Sequence, residues 1–355
     1  MAKRNPSSRL SRWSSHLGSC ALAALVGLVA ASDPASAGST LEAIKARGTL
    51  RCSVQGPSNP GFGVPDSQGR WSGFNVDWCR AVAIMIVNDA SKAEIVPLTT
   101  QTDFPALQAG ETDMMAANKT YTLTRDTQLK LNFPAVTFYD GQAIMVPAAA
   151  RIGKASELNG ATICVQPGTA TELNLVDYFR KNGMGFKPIV IESRDELRGA
   201  YAENRCDALT ADYTTLVAQR TLLSDSKQHV ILPERLSKEP LTLTVRHGDE
   251  EFRDIVAWAV CILVNAEELG ITQANAERLA ATSTDPAVRR LLGTDPGLGQ
   301  AMGIDPKFGL NLVKALGNYG EIFERNLGKA TPLGLDRGPN RLWSDGGLVY
   351  VPPAR

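Results

Sequence analysis

The chain has 355 residues, 43% of them hydrophobic, with 37 basic and 37 acidic side chains. The 318 residues after Ala37 carry 33 basic and 36 acidic groups, a small negative excess that argues against a nucleic-acid or anionic-membrane partner. That length is enough for two lobes with sizeable cores.

The N-terminus opens on Lys3, Arg4, Arg9 and Arg12, runs through an apolar stretch from Leu17 to Ala31 and reaches Ala35-Ser36-Ala37. This is the pattern of a secretory signal over residues 1–37, cleaved after Ala37, and it places the mature chain in the periplasm. The apolar run is about 15 residues where a membrane span needs roughly 20. It follows Cys20 instead of preceding it, which is the wrong order for a lipoprotein signal.

Next comes a short helix, Leu41 to Arg47, stopped by Gly48, and a strand from Thr49 to Val54. Asn75 reads as the cap of a helix whose Trp78, Ala81, Val82, Met85 and Ile86 share one apolar face. A strand from Ile95 to Leu98, a helix around Phe104 to Ala109 and a strand ending near Ala117 follow. Residues 152–236 repeat this logic: strand Thr162 to Gln166, helix Glu172 to Lys181, strand Pro188 to Ile191, helix Asp195 to Glu203, strand Asp207 to Ala211. Extended segments Gln142 to Val146 and Leu241 to Val245 flank that repeat. Two crossings imply an α/β fold of two lobes, the second inserted into the first and hinged on it. The division is 1–37 signal, 38–143 first part of lobe one, 144–240 lobe two, and 241–355 the return to lobe one. Helices are expected near Glu250 to Ala266, Ala274 to Ala281 and Lys307 to Asn326, with an ordered apolar arm from Gly328 to Arg355.

Five cysteines follow the signal. In an oxidising compartment they are structural, and chain order suggests Cys52 with Cys79 and Cys164 with Cys206, leaving Cys261 as a buried thiol; the count itself leaves the pairing open. No Cys-x-x-Cys occurs and the three histidines are scattered, so neither a metal nor a redox site is expected, and no cofactor.

At this point the sequence resembles a known family, the bacterial extracellular solute-binding proteins of family 3 that serve general and polar L-amino-acid ABC transporters. The resemblance rests on Gly-x-Leu-x-Cys at 48–52, Gly-Phe-x-Val-Asp-x-Cys-Arg-Ala-Val-Ala at 73–83 and Phe-x-Ala-Leu-x-x-Gly-Glu-x-Asp at 104–113. It continues in Thr-Leu-Thr-Arg-Asp-Thr at 122–127, Gly-Thr-x-Thr-Glu-Leu-Asn-Leu at 168–175, Arg-Cys-Asp at 205–207, Val-Arg-Arg-Leu-Leu-Gly at 288–293, Gly-Asn-Tyr-Gly-Glu at 317–321 and the terminal Pro-Pro-x-Arg. Each is weak alone; their order and spacing are specific. The resemblance implies a type II periplasmic binding fold, a free amino acid as ligand, an inner-membrane permease as partner and a monomer.

Burying an amino acid requires a partner for its carboxylate and one for its ammonium, since either left unpaired costs several kcal/mol, on the order of 2–7. Arg125 offers a planar fork for the carboxylate. Asn118 and Thr120 lie past a strand end, where open α/β sheets bind ligands. Thr169 precedes a helix whose amides favour an anion, and it serves equally as a plain cap. The family resemblance puts the ammonium on Asp212, and Phe62 is expected as an apolar wall.

This chain departs from the family pattern at Ala117, Lys119, Asn75, Ala170 and Thr242-Leu243. Lys119 favours an acidic ligand side chain if it points inward and does little if it points to solvent. No nucleophile elbow, phosphate loop or dinucleotide fingerprint is present, so binding is expected in place of catalysis, with a ligand sensor or a periplasmic enzyme on the same fold as alternatives.

Overall fold

A computed structural model describes residues 39–295 and 297–355; the expected secretory signal, residues 1–37, lies outside them. Among the described residues no helix is long and apolar enough to cross a membrane.

Two sheets organise the described chain. In the first, strand Leu50–Gln55 lies between Ala93–Leu98 and Met114–Thr120, all parallel, and Glu239–Arg246 runs antiparallel beside Met114–Thr120. Val136–Asp140 and Leu131–Asn132 complete it by pairing with Glu239–Arg246. In the second, Thr162–Val165 lies between Lys187–Val190 and Ala208–Asp212, again parallel, with Gln142–Pro147 antiparallel beside Ala208–Asp212 and His229–Ile231 at the edge. The chain passes from the first sheet to the second across Gly141 and returns between Ile231 and Glu239. The two sheets thus form a two-lobed fold of the type II periplasmic binding class, with the second lobe inserted in the first.

The apolar run Met114-Met115-Ala116-Ala117 does not alternate with polar residues because both faces of its strand are covered. Met114 and Ala116 face the main core, whereas Met115 and Ala117 pack with Leu107 and Leu131. Helix Phe74–Val87 is buried along nearly its whole length and packs against the 19-residue helix Glu250–Glu268. Cys52 and Cys79 join the first strand to that helix, and Cys164 and Cys206 close the second lobe, each pair with Cα atoms 5.7 Å apart. Cys261 is a free buried thiol that burial pushes up to about 12.

Two local expectations change. Asn75 does not cap its helix; Gly73 does, and the amides of Phe74 and Asn75 donate to the carbonyls of Gly61 and Phe62. Backbone carbonyls from the preceding loop do the work of a capping side chain, so Asn75 falls inside the first turn and is buried. The approach is close: a Cβ on Gly73, whose φ is 135°, would sit 2.4 Å from the Phe62 carbonyl. Gly73→Ala is expected to destabilise the fold by at least about 1–3 kcal/mol, the range for a backbone region that only glycine tolerates, seen as a lower midpoint in chemical denaturation.

The single helix expected over Lys307 to Asn326 is two, Phe308–Leu316 and Tyr319–Asn326. Gly317 ends the first with φ 73°, and Asn318 with Glu321 forms a capping box that starts the second. Of the apolar residues in the C-terminal arm, Leu342 and Val349 reach the core while Trp343, Leu348 and Tyr350 stay exposed. Asn340 fastens the arm near the hinge, accepting from the Tyr139 amide at 2.6 Å and donating to its carbonyl at 3.0 Å.

Candidate functional site

The carboxyl ends of the parallel strands in both sheets point at one cavity of about 50 Å³ between the lobes. Gln55, Thr100 and Thr120 sit at or just past three strand ends of the first sheet; Gln166, Arg194 and Asp212 occupy the matching places in the second. This is where open α/β sheets expose loop amides and helix starts that no strand partner uses.

Asn118, Thr120, Arg125, Thr169 and Asp212 all line the cavity. Phe62 does not. Its ring is fully buried in the first lobe, edge-on to Phe74 and Phe138 with centroids 6.2 Å away in each case, so it is core packing and no wall of the site. The loop Pro60-Gly61-Phe62-Gly63 lies close against Gly73, where a side chain would leave its backbone no room.

Arg125 stands in the short helix Leu123–Thr127, whose cap is the Thr122 hydroxyl accepting from the Arg125 amide. Its Nη1 donates to the Thr120 carbonyl at 2.8 Å, and its guanidinium lies 5.1 Å from the Phe104 ring centroid. Among the described residues no acceptor engages its Nε or Nη2, so one edge of the fork is open.

Asp212 starts helix Tyr213–Thr221 without capping it. Asp140 takes that role, accepting from both the amide and the hydroxyl of Thr214. Asp212 is thereby free to face the cavity, and among the described residues no donor reaches its carboxylate. Burial pushes Asp212 well above the usual carboxylate range, Asp140 and Glu239 push further, and Arg194 and Arg125 oppose them.

The Thr120 hydroxyl donates to Glu239, whose other oxygen accepts from Asn174 of the second lobe at 2.7 Å. Its hydrogen being used, the Thr120 hydroxyl can offer the cavity only an acceptor. Thr169 is both a cap and a cavity residue: its hydroxyl accepts from the Glu172 amide at 3.2 Å and donates to the Gln166 carbonyl at 2.8 Å. Buried Gln142 anchors this corner by donating to the Thr171 carbonyl and the Thr210 hydroxyl, both at 2.9 Å.

Lys119 points inward and is buried, yet it is neutralised by an ion pair with buried Asp103 beside the Phe104 ring. Burial lowers Lys119 and raises Asp103, each opposed by the other's charge. The pair forms at a break in the ladder, where Thr242 pairs with Lys119 and Thr244 with Met115, a bulge next to the cavity. Ala117 packs in the adjoining apolar cluster and Ala170 lines the cavity.

Arg194, Gln55, Thr100 and Gln219 also line the cavity and were not singled out in the sequence. For Arg194 a signal exists: it is the first residue of a helix capped by Ser193, where the macrodipole disfavours a cation. Cross-lobe bonds hold the cavity shut. The Thr100 hydroxyl donates to Glu192 at 2.9 Å, the Gln219 amide donates to the Ser58 carbonyl at 2.7 Å, and the Ser58 hydroxyl donates to Asp195.

The family model of bacterial extracellular solute-binding proteins, family 3, matches residues 50–273. The chain is 45% identical over 338 residues to the general L-amino acid-binding periplasmic protein AapJ of Rhizobium johnstonii, covering 95% of this chain and 98% of that one. It is 46% identical over 342 residues to the glutamate/glutamine/aspartate/asparagine-binding protein BztA of Rhodobacter capsulatus, covering 96% and 99%. Among solved structures, a periplasmic binding protein of an ABC transporter from Brucella ovis with glutathione bound is 46% identical, with a TM-score of 0.87 over 90% of this chain and all of that one.

Proposed function

The chain belongs to the bacterial extracellular solute-binding proteins, family 3, and from that membership we propose that it is the periplasmic amino-acid-binding component of an ABC importer. The observation that carries this reading is the pairing across one small closed cavity of Arg125 on the first lobe with Asp212 on the second. A zwitterion satisfies both: its carboxylate takes the open edge of the Arg125 fork, and its ammonium takes the Asp212 carboxylate with the Thr120 oxygen beside it. The backbone amides at the start of helix Ala170–Lys181 add to the carboxylate side. Only closure supplies both ends, so ligand binding favours the closed form, and a membrane permease reads that form.

The site is complete within one chain, which supports a monomer. Binding in place of catalysis is supported by the relatives, which are solute- and amino-acid-binding proteins.

A second chamber of about 400 Å³ adjoins the cavity and shares Gln55, Thr100, Gln166 and Arg194 with it, which favours room for a ligand longer than one amino acid. Calorimetric titration of the mature protein against the twenty amino acids and glutathione is expected to give micromolar or tighter binding, about −8 kcal/mol, for at least one of them. Absence of binding by every amino acid would overturn the reading.

A further inference from the structure

Once a zwitterion is in place, one cation lining the cavity still has no carboxylate in direct contact. Lys119 is matched by Asp103. Arg125 and Asp212 are matched by the ligand's own carboxylate and ammonium. Arg194 remains, and its protein acceptors are neutral amides: Nη2 donates to Gln55 from the opposite lobe, and Nε donates to Gln166 at 3.4 Å. Its Nη1 is buried with no acceptor among the described residues, and the Asn118 amide nitrogen on the other side of the cavity is buried in the same condition. Glu192, two residues earlier, makes no ion pair with Arg194; its Oε1 accepts from Thr100 and Gln101 while its Oε2 is buried without a donor. The carboxylate with the largest influence on Arg194 is Asp212, which lines the cavity with it.

Asp212, Asp103 and Glu192 favour the Arg194 charge from a distance, but its Nη1 lacks a direct acceptor, and a carboxylate bonded there would recover more of the hydration that burial removes. We infer that Arg194 is the specificity-determining residue of the site and that the ligand it selects carries a second carboxylate, as an acidic amino acid does. The inference rests on the amino-acid reading above and narrows it. The side-chain carboxylate takes Arg194 Nη1, with the Asn118 amide as a second donor. A side-chain amide offers one neutral oxygen to the same donors and leaves the charge unanswered; an apolar side chain offers nothing.

The test compares glutamate, aspartate, glutamine and alanine by calorimetry on the mature wild-type protein, Arg194→Gln and Arg194→Lys, with thermal melts showing that each variant is folded. Wild type is expected to prefer glutamate or aspartate over glutamine. Arg194→Gln should lose on the order of thirtyfold in affinity for the acidic ligand, the scale for removing one member of a buried charge pair, while glutamine changes less than about threefold. Arg194→Lys keeps the charge without the fork and should retain part of the preference. Equal loss for glutamate and glutamine in Arg194→Gln would overturn the inference, because Arg194 would then hold the α-carboxylate or only the closed form. Wild-type binding of alanine or glutamine as tight as that of glutamate would overturn it too, leaving the amino-acid reading intact. Failure of wild type to bind any amino acid would instead overturn that reading, and the inference with it.

Discussion

Arg125→Ala is expected to abolish amino-acid binding while leaving the protein folded. Removing the fork leaves the ligand carboxylate buried without its cation, a loss of about 2–5 kcal/mol, which corresponds to roughly thirtyfold to several-thousandfold in affinity. The fold should survive because the Thr122 cap and the packing of the neighbouring strand do not depend on the guanidinium; what goes is one bond to the Thr120 carbonyl and the contact with Phe104. Arg125→Lys separates charge from geometry: it should bind more weakly than wild type and more tightly than the alanine variant. The measurement is calorimetry beside a thermal melt. Undiminished affinity in Arg125→Ala would remove this residue from the site.

Asp212→Asn should lose binding on a similar scale and behave oppositely in stability. In the unliganded protein Asp212 lies well above the usual carboxylate range, from burial first and from Asp140 and Glu239 next. A carboxyl whose folded value is raised binds its proton more tightly in the folded than in the unfolded chain, so the fold loses stability as pH rises from the unfolded value, near 4, through the raised one. At neutral pH Asp212 therefore weighs against the empty fold. Asp212→Asn removes that load and should melt higher than wild type at pH 7 while binding far less. An arriving ammonium reverses the balance, favouring the ionised form. Binding by wild type should then release protons as pH falls into the raised window, and affinity should decline with it. Titrations in buffers of different ionisation enthalpy measure the proton release. A pH-independent affinity in wild type between about 4 and 7 would contradict this account of Asp212, given where an ordinary carboxyl titrates.

The plan of the fold was legible because it is written in local patterns. The alternation of short apolar runs with amphipathic helices gave both lobes, and Gln142 to Val146 with Leu241 to Val245 marked the crossings. Residues at strand ends, such as Thr120, Thr169 and Asp212, were legible for the same reason: their place in the pattern is their place in the cleft. Arg125 was legible from its motif. Residues whose role depends on a distant partner were not. Phe62 lies in a loop of turn-forming residues, and only the backbone of Gly73 and the rings of Phe74 and Phe138 make it core. The direction of Lys119 depends on Asp103, sixteen residues away and on another element. The break at Gly317-Asn318 was written in the sequence as a glycine followed by a capping box, and the longer apolar period on either side masked it. Arg194 reads locally as an exposed helix start, and its burial comes from the opposite lobe.

The arrangement of cations has one more consequence, for the unloaded receptor. Lys119 and Arg125 belong to the first lobe and Arg194 to the second, and closure carries Arg194 up to the other two, where each of these positive charges disfavours Lys119. The same movement brings Arg194 under the influence of Asp103 and Arg125 under that of Asp212, so shutting joins charges of both signs, and the balance between them sets how readily the empty receptor closes.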